Sequence, residues 1–187
     1  LLHRPLELLG ANGKEYLAAL HKIKESGLVS SIGISIYAPE EIDLIFPVFK
    51  PDIIQAPFNV FDRRLLTSGW LARLEEEKVR VHLRSVFLQG LLLTSEDHLN
   101  PYFQPWAKTL ENWRDWCAEK SHTPLEASLG FVLAQSNVER VIVGVDSIAQ
   151  FREILLVRPL EDTQDMNLLS KDLDLIEPRR WNLGKKK

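Results

Sequence analysis

The chain has a single cysteine, Cys117, in 187 residues. It cannot form an internal disulfide, which excludes a disulfide-stapled scaffold and fits a reducing cytoplasm. Its place in the series Trp106, Leu110, Trp113, Cys117 has helical spacing and reads as a buried packing position. Long hydrophobic runs are missing too. No stretch approaches the ~18 consecutive apolar residues of a membrane span, so no membrane is expected as a partner. Positive charge is not in excess. A formal net charge of -3 argues against non-specific nucleic-acid binding, and the closing Lys185-Lys186-Lys187 run reads as a solvated tail. His21, His82, His98 and His122 do not lie at metal-ligand spacing. The opening Leu1-Leu2-His3-Arg4-Pro5 lacks both an initiator methionine and the layout of a signal peptide. A segment of a longer polypeptide is the expectation. Neither G-x-G-x-x-G nor G-x-x-x-x-G-K-[ST] occurs, which removes the two commonest nucleotide-binding open sheets.

What remains is an ordinary globular composition, 45% apolar and 26% charged, in a chain long enough for one sizeable domain or part of a larger one. Strand-like and helix-like segments alternate along it. Gly13 to Ser26 predicts a helix with Tyr16, Leu20 and Ile23 on one face and Gly27 ending it. Extended segments are expected at about 1–3, 29–35, 52–57, 79–85 and 140–144. Between them Pro39 opens a short helix, and Leu65 to Glu77 reads as another. In "VRVHLRSVFLQGLLL" (79–93), Val79, Val81 and Leu83 alternate with Arg80, His82 and Arg84, the pattern of a strand buried on one face. A helix over Trp106–Lys120 follows a polar and aromatic connection. Thr123-Pro124-Leu125-Glu126 is a capping-box start for a helix reaching about Gln135. "VERVIVGV" (138–145) reads as a strand buried on both faces. Ser147 then caps a helix whose apolar face is Ile148, Phe151, Ile154 and Leu155, and Leu168 to Ile176 suggests a last helix.

This alternation indicates an α/β protein with a parallel sheet. Without the open-sheet signatures a (β/α) barrel is the better reading, and its chemistry sits at the carboxyl ends of the strands. Those ends carry His3, Ser35 with Ile36 and Tyr37, Gln55, Arg84 with Ser85, and Gly144 to Ser147.

Taken in order, these strand ends resemble the aldo-keto reductases, through "LLHRP" (1–5), "GLVSSIGIS" (27–35), "IIQAPFN" (53–59), "RSVFLQGLL" (84–92) and "VIVGVDSIAQFREIL" (141–155). "SIGISIYAPEEID", "FNVFDRRLL" and "RSVFLQGLLL" are most similar to bacterial members found among surface-polysaccharide biosynthesis proteins. The resemblance implies a (β/α)8 TIM-barrel fold of which residues 1–187 are the C-terminal portion, about strands four to eight. It also implies NAD(P)-dependent reduction of a small-molecule carbonyl, an aldehyde or ketone such as a sugar derivative.

The resemblance further implies a cofactor lying across the barrel mouth. Arg84 matches the position that faces the nicotinamide, where many relatives have an aromatic ring; a planar guanidinium also stacks on a flat ring. Ser85, Phe87, Gln89 and Gly90 match the loop around the pyrophosphate, and Ser35 and Gln55 the contacts to the carboxamide. Read without the family, Ser35 and Gln55 are satisfied polar groups of a barrel interior. Ile36 departs from the family's asparagine and removes one carboxamide contact. Gly144, Val145 and Asp146 open the loop toward the adenosine and Ser147 follows them on the cofactor side, Gln150 replaces an arginine, and Glu153 matches a glutamate that commonly reaches the adenine. Asp146 would repel a 2′-phosphate, so NAD is expected to bind at least as well as NADP.

Of the family's catalytic group, His3 matches the histidine that orients the carbonyl. The tyrosine acid, its lysine and the aspartate belong to earlier segments and match nothing in residues 1–187; Tyr37 is not at the tyrosine's position. Two readings follow: part of a reductase whose segment alone is inactive, or a non-catalytic module that binds dinucleotide or protein. An incomplete barrel leaves parallel edges uncovered, so the expected partner is an N-terminal barrel segment or, through self-association, a second copy.

Overall fold

A computed structural model describes residues 1–163 and 166–184; the Lys185–Lys187 run lies outside the described residues. Four parallel strands form one sheet in sequential order: β1 (Gly33–Ser35), β2 (Ile53–Pro57), β3 (Arg80–Arg84) and β4 (Arg140–Val141). Leu2 adds a parallel bridge to Ile34, its N–H donating to the Gly33 carbonyl and its own carbonyl accepting from Ser35. The five expected strands are thus four strands and a bridge, in the order a TIM-type barrel requires. The fold is α/β and the barrel incomplete.

Register follows side-chain alternation. Ile34, Ile54, Ala56, Val81 and Leu83 are buried on one face. The opposite face carries Ser35, Gln55, Arg80, His82 and Arg84, all but Ser35 half-buried or exposed. β1 is shorter than 29–35 because the Ile32 N–H donates to the Asp52 side chain at 2.8 Å instead of entering the ladder. Gly33 is needed where it stands: a Cβ there would come within 2.2 Å of the Ile53 carbonyl oxygen.

The chain divides into two compact units. The first comprises residues 1–57, 64–84 and 137–141, the second residues 58–63, 85–136 and 142–187. The first unit holds the sheet with helices α1 (Gly13–Glu25), α2 (Glu40–Ile45), α3 (Arg64–Thr67) and α4 (Trp70–Glu76). Gly27, at φ +75°, lies just past α1 as its spacing predicted. The expected 65–77 helix is two helices. Gly69 adopts φ +80° and the Ser68 hydroxyl donates to the Leu65 carbonyl, which ends one helix and lets another start. The face Tyr16, Leu20, Ile23 of α1 is not buried, Gly13 being the one buried residue of that helix.

In the second unit α5 (Ala107–Glu119) and α6 (Pro124–Leu133) frame an aromatic core. The Phe58 and Phe131 rings stack 5.6 Å apart, Trp113 stacks on Trp116 at 6.2 Å, and the Trp113 indole N–H donates to the Leu92 carbonyl at 2.9 Å. Arg63 lies 4.6 Å over the Phe131 ring and donates to the carbonyls of Val60 and Met166; burial pulls its pKa down. Cys117 is buried, as its helical spacing indicated. α7 (Ile148–Leu156) also belongs to this unit, and none of its residues is buried.

Two further expectations are corrected. The apolar run 138–145 contributes only Arg140 and Val141 to the sheet, exposed and half-buried respectively. β4 pairs with β3 alone among the described strands, so neither its composition nor its length is converted into burial. The segment 168–176 is helical only in α8 (Leu173–Ile176), which Asp172 caps by accepting from the Asp174 N–H. None of the described helices is long and apolar enough to cross a membrane.

Candidate functional site

In the first unit, parallel pairing sets Ser35, the last residue of β1, opposite Gln55, which lies in the middle of β2 rather than at its expected end, while Arg84 ends β3 opposite Pro57. Ser35, 3% exposed, donates its hydroxyl to Gln55 Oε1 at 3.2 Å. That bond leaves the Gln55 amide nitrogen as a donor and the Ser35 oxygen lone pairs as acceptors. A carboxamide needs one of each, so these residues fit the nicotinamide amide. Ile36 is fully buried in the core, where an apolar side chain is suited. Its carbonyl accepts from Arg84 Nη2 at 2.9 Å. The Arg84 guanidinium lies 4.9 Å over the Tyr37 ring. His3 follows the Leu2 bridge at the same end of the sheet and is exposed.

Farther down the same face, His82 Nε2 lies 2.9 Å from a Glu139 carboxylate oxygen, and Arg80 is 3.5 Å from the other. The hydrogen bond from His82, with the charge of Arg80, holds the Glu139 carboxyl below its ordinary range. No group of three metal-ligating side chains occurs among the described residues.

In the second unit, Ser85, Phe87, Gln89 and Gly90 share one tight turn. Ser85 (φ +62°), Leu88 (+46°), Gln89 (+54°) and Gly90 (+85°) are all left-handed. A residue other than glycine is strained there by about 1–2 kcal/mol, and the turn is closed by the Leu88 and Gly90 N–H groups, which donate to the Ser85 and Phe87 carbonyls at 2.9 Å. Asn59, fully buried, holds this turn: its amide nitrogen donates to the Ser85 carbonyl at 3.1 Å while its oxygen accepts from the Phe61 and Asp62 N–H groups. No role was expected for Asn59. An asparagine inside the apolar run "APFNVF" was the available signal, since a buried amide must be satisfied.

The other second-unit residues gather at the start of α7. Ser147 caps it by accepting from the Gln150 N–H at 3.2 Å, and Gln150 Oε1 accepts from the Asp146 N–H at 2.8 Å. Gln150 therefore braces the loop. Gly144, Ser147, Gln150 and Glu153 are all exposed. Gly144 has open space around its α-carbon.

Against known proteins the chain matches the aldo/keto reductase family over residues 2–171, and it belongs to that family. It is 29% identical over 153 residues to the uncharacterized oxidoreductase YqkF of Bacillus subtilis, covering 76% of this chain and 49% of that protein. To the NADH-specific methylglyoxal reductase of Escherichia coli it is 26% identical over 153 residues, covering 74% and 47%. The fold is similar to that of aldo-keto reductase AKR11C1 from Bacillus halodurans in its apo form, with a TM-score of 0.70 at 22% identity over 90% of this chain and 60% of that one. The holo form of the same enzyme gives a TM-score of 0.67. The chain spans about half the length of the curated relatives it matches.

Proposed function

We propose that residues 1–187 form the cofactor-holding part of an NAD(P)-dependent aldo-keto reductase that reduces an aldehyde or ketone to an alcohol. The observation that carries this reading is the Ser35–Gln55 hydrogen bond between β1 and β2, with Arg84 on the same face of the sheet at the end of β3. When bound, the cofactor supplies the two electrons and one hydrogen that the carbonyl carbon takes up. Gln55 would donate to its carboxamide and Ser35 would accept from it, and Arg84 would offer a planar cation to the flat ring. The turn formed by Ser85, Phe87, Gln89 and Gly90 would border the pyrophosphate, with open space at the Gly90 α-carbon letting the phosphates approach its backbone. Gly144, Ser147, Gln150 and Glu153 serve the adenosine end.

His3 would orient the substrate carbonyl. Reduction also needs the acid, lysine and aspartate for which residues 1–187 have no match, so turnover belongs to a protein containing those barrel strands. An N-terminal barrel segment or a second copy covering the sheet edges is part of the same proposal, as is a cytoplasmic setting. With those strands present, His3→Ala should lower aldehyde reduction by about 10²–10⁴-fold, the size of an acid–base contribution. Unchanged turnover would make His3 a structural residue.

NAD is favoured over NADP because Asp146 adds a negative charge where a 2′-phosphate needs cations, and Gln150 is engaged with the Asp146 backbone. The 26%-identical relative of Escherichia coli is an NADH-specific methylglyoxal reductase, which supports this preference. Titrating the protein with NADH and NADPH tests the reading. NADH should bind at least as tightly, and Arg84→Ala should weaken it about 10–100-fold, the value of a charge-assisted contact. Asp146→Arg should shift preference toward NADPH. Failure of both dinucleotides to bind would favour a non-catalytic module that binds protein.

A further inference from the structure

Arg84 is held by its own chain on two sides. Its guanidinium lies over the Tyr37 ring, and one of its N–H groups is held by the Ile36 carbonyl. Tyr37 is itself fixed at both ends of its backbone. Its N–H and that of Ala38 donate to one Glu41 carboxylate oxygen at 2.9 and 3.1 Å, and its carbonyl accepts from Arg64 Nη2 at 3.2 Å. Yet the Tyr37 side chain is 40% exposed. Burial alone therefore does not set the ring, and its face lies against the Arg84 guanidinium.

We propose that Tyr37 is a positioning residue, a platform that sets the plane of the Arg84 guanidinium for dinucleotide binding. The proposal rests on the reading of Arg84 as a cofactor contact. Arginine has many rotamers, and a ligand that must order it loses affinity by the entropy of doing so. A ring that already holds the guanidinium flat removes most of that cost. Glu41 and Arg64 act one step further out, by keeping the residue that carries the ring in place.

The test is NADH affinity, read by energy transfer from the protein's tryptophans to the bound nicotinamide in the full protein. Tyr37→Leu should weaken binding by about 3–30-fold, the range of a cation–π contact. Tyr37→Phe keeps the ring face and should stay within about twofold. In an Arg84→Ala background, adding Tyr37→Leu should change the affinity by less than about twofold, because the two act as one unit. A merely structural tyrosine would instead give effects that add. If Arg84→Ala weakens binding and Tyr37→Leu does not, the platform is overturned while the cofactor reading stands. If Arg84→Ala itself has no effect, both fall together. Should Tyr37→Leu give no folded protein, Tyr37→Gln replaces it under the same thresholds.

Discussion

α6 and α7 belong to the same unit, start with the same kind of cap, and are both apolar, yet they end in opposite environments. Thr123 and Glu126 close a reciprocal box at the head of α6, and Ser147 accepts from Gln150 at the head of α7. α6 then buries six consecutive residues, Ala127 to Val132. α7 leaves Ile148 at 71% and Leu156 at 76% exposure. Local chemistry starts a helix, but burial is supplied by what lies across from it. α6 has the Phe58 ring against Phe131 and close backbone packing at Gly130, where an added Cβ would meet the Arg158 carbonyl oxygen at 2.8 Å. Nothing comparable covers α7 among the described residues.

The contrast is broken most forcefully in the core. Phe131→Ala should cost about 3–5 kcal/mol, since it removes a stacked ring and leaves a cavity. Phe151→Ala on α7 should change stability by less than about 0.5 kcal/mol. Chemical denaturation of the two variants measures both, and equal losses would show that α7 is covered in solution. The second measurement concerns association. Replacing Leu155 and Leu156 with glutamate should shift a self-associating protein toward monomer by about tenfold in the dissociation constant, readable by sedimentation. An unchanged distribution would remove that face from any interface.

Thr123→Ala should cost about 1 kcal/mol and Ser147→Ala about half as much, because the box satisfies two N–H groups and Ser147 satisfies one. Thermal melts compare them directly. The smallest effect is at Asp52, in the first unit. Burial pulls its carboxyl upward, but the Lys24 hydrogen bonds, the Ile32 N–H and the nearby cations outweigh it, so its folded pKa lies below the ordinary value. Its contribution is complete above the unfolded carboxylate pKa of about 3.9 and is lost as the pH falls through the lower folded value. Between pH 7 and 3 the protein should lose about 0.2–0.4 kcal/mol that Asp52→Asn does not lose, a small figure because the pair is partly exposed.

These regions also explain what was legible in the sequence. Caps, the Gly27 stop and the alternation of Val81 and Leu83 against Arg80, His82 and Arg84 depend on neighbours a few residues apart. They were readable. The fate of "VERVIVGV" and of the face Ile148, Phe151, Ile154, Leu155 depends on partners distant in the chain, so apolar composition alone misled. At the candidate site, the family resemblance supplied the residues at the strand ends, and the structure joins Ser35 to Gln55. The supports were missed because they act across long separations: Asn59 reaches Ser85, and Tyr37 reaches Arg84.

The buried Cys117 provides a clock. It is the chain's one cysteine, is 2% exposed, and has its thiol pushed up to about 12 by burial. At neutral pH it is closed to an alkylating reagent both sterically and by protonation. Modification must therefore wait for α5 to lift away, and the native protein carries its own single-site reporter of that opening. The alkylation rate, divided by that of the unfolded chain, gives the equilibrium constant of the excursion when reclosing is fast. Such a rate would show whether the aromatic layer around Trp113 opens by itself or only when the whole unit unfolds.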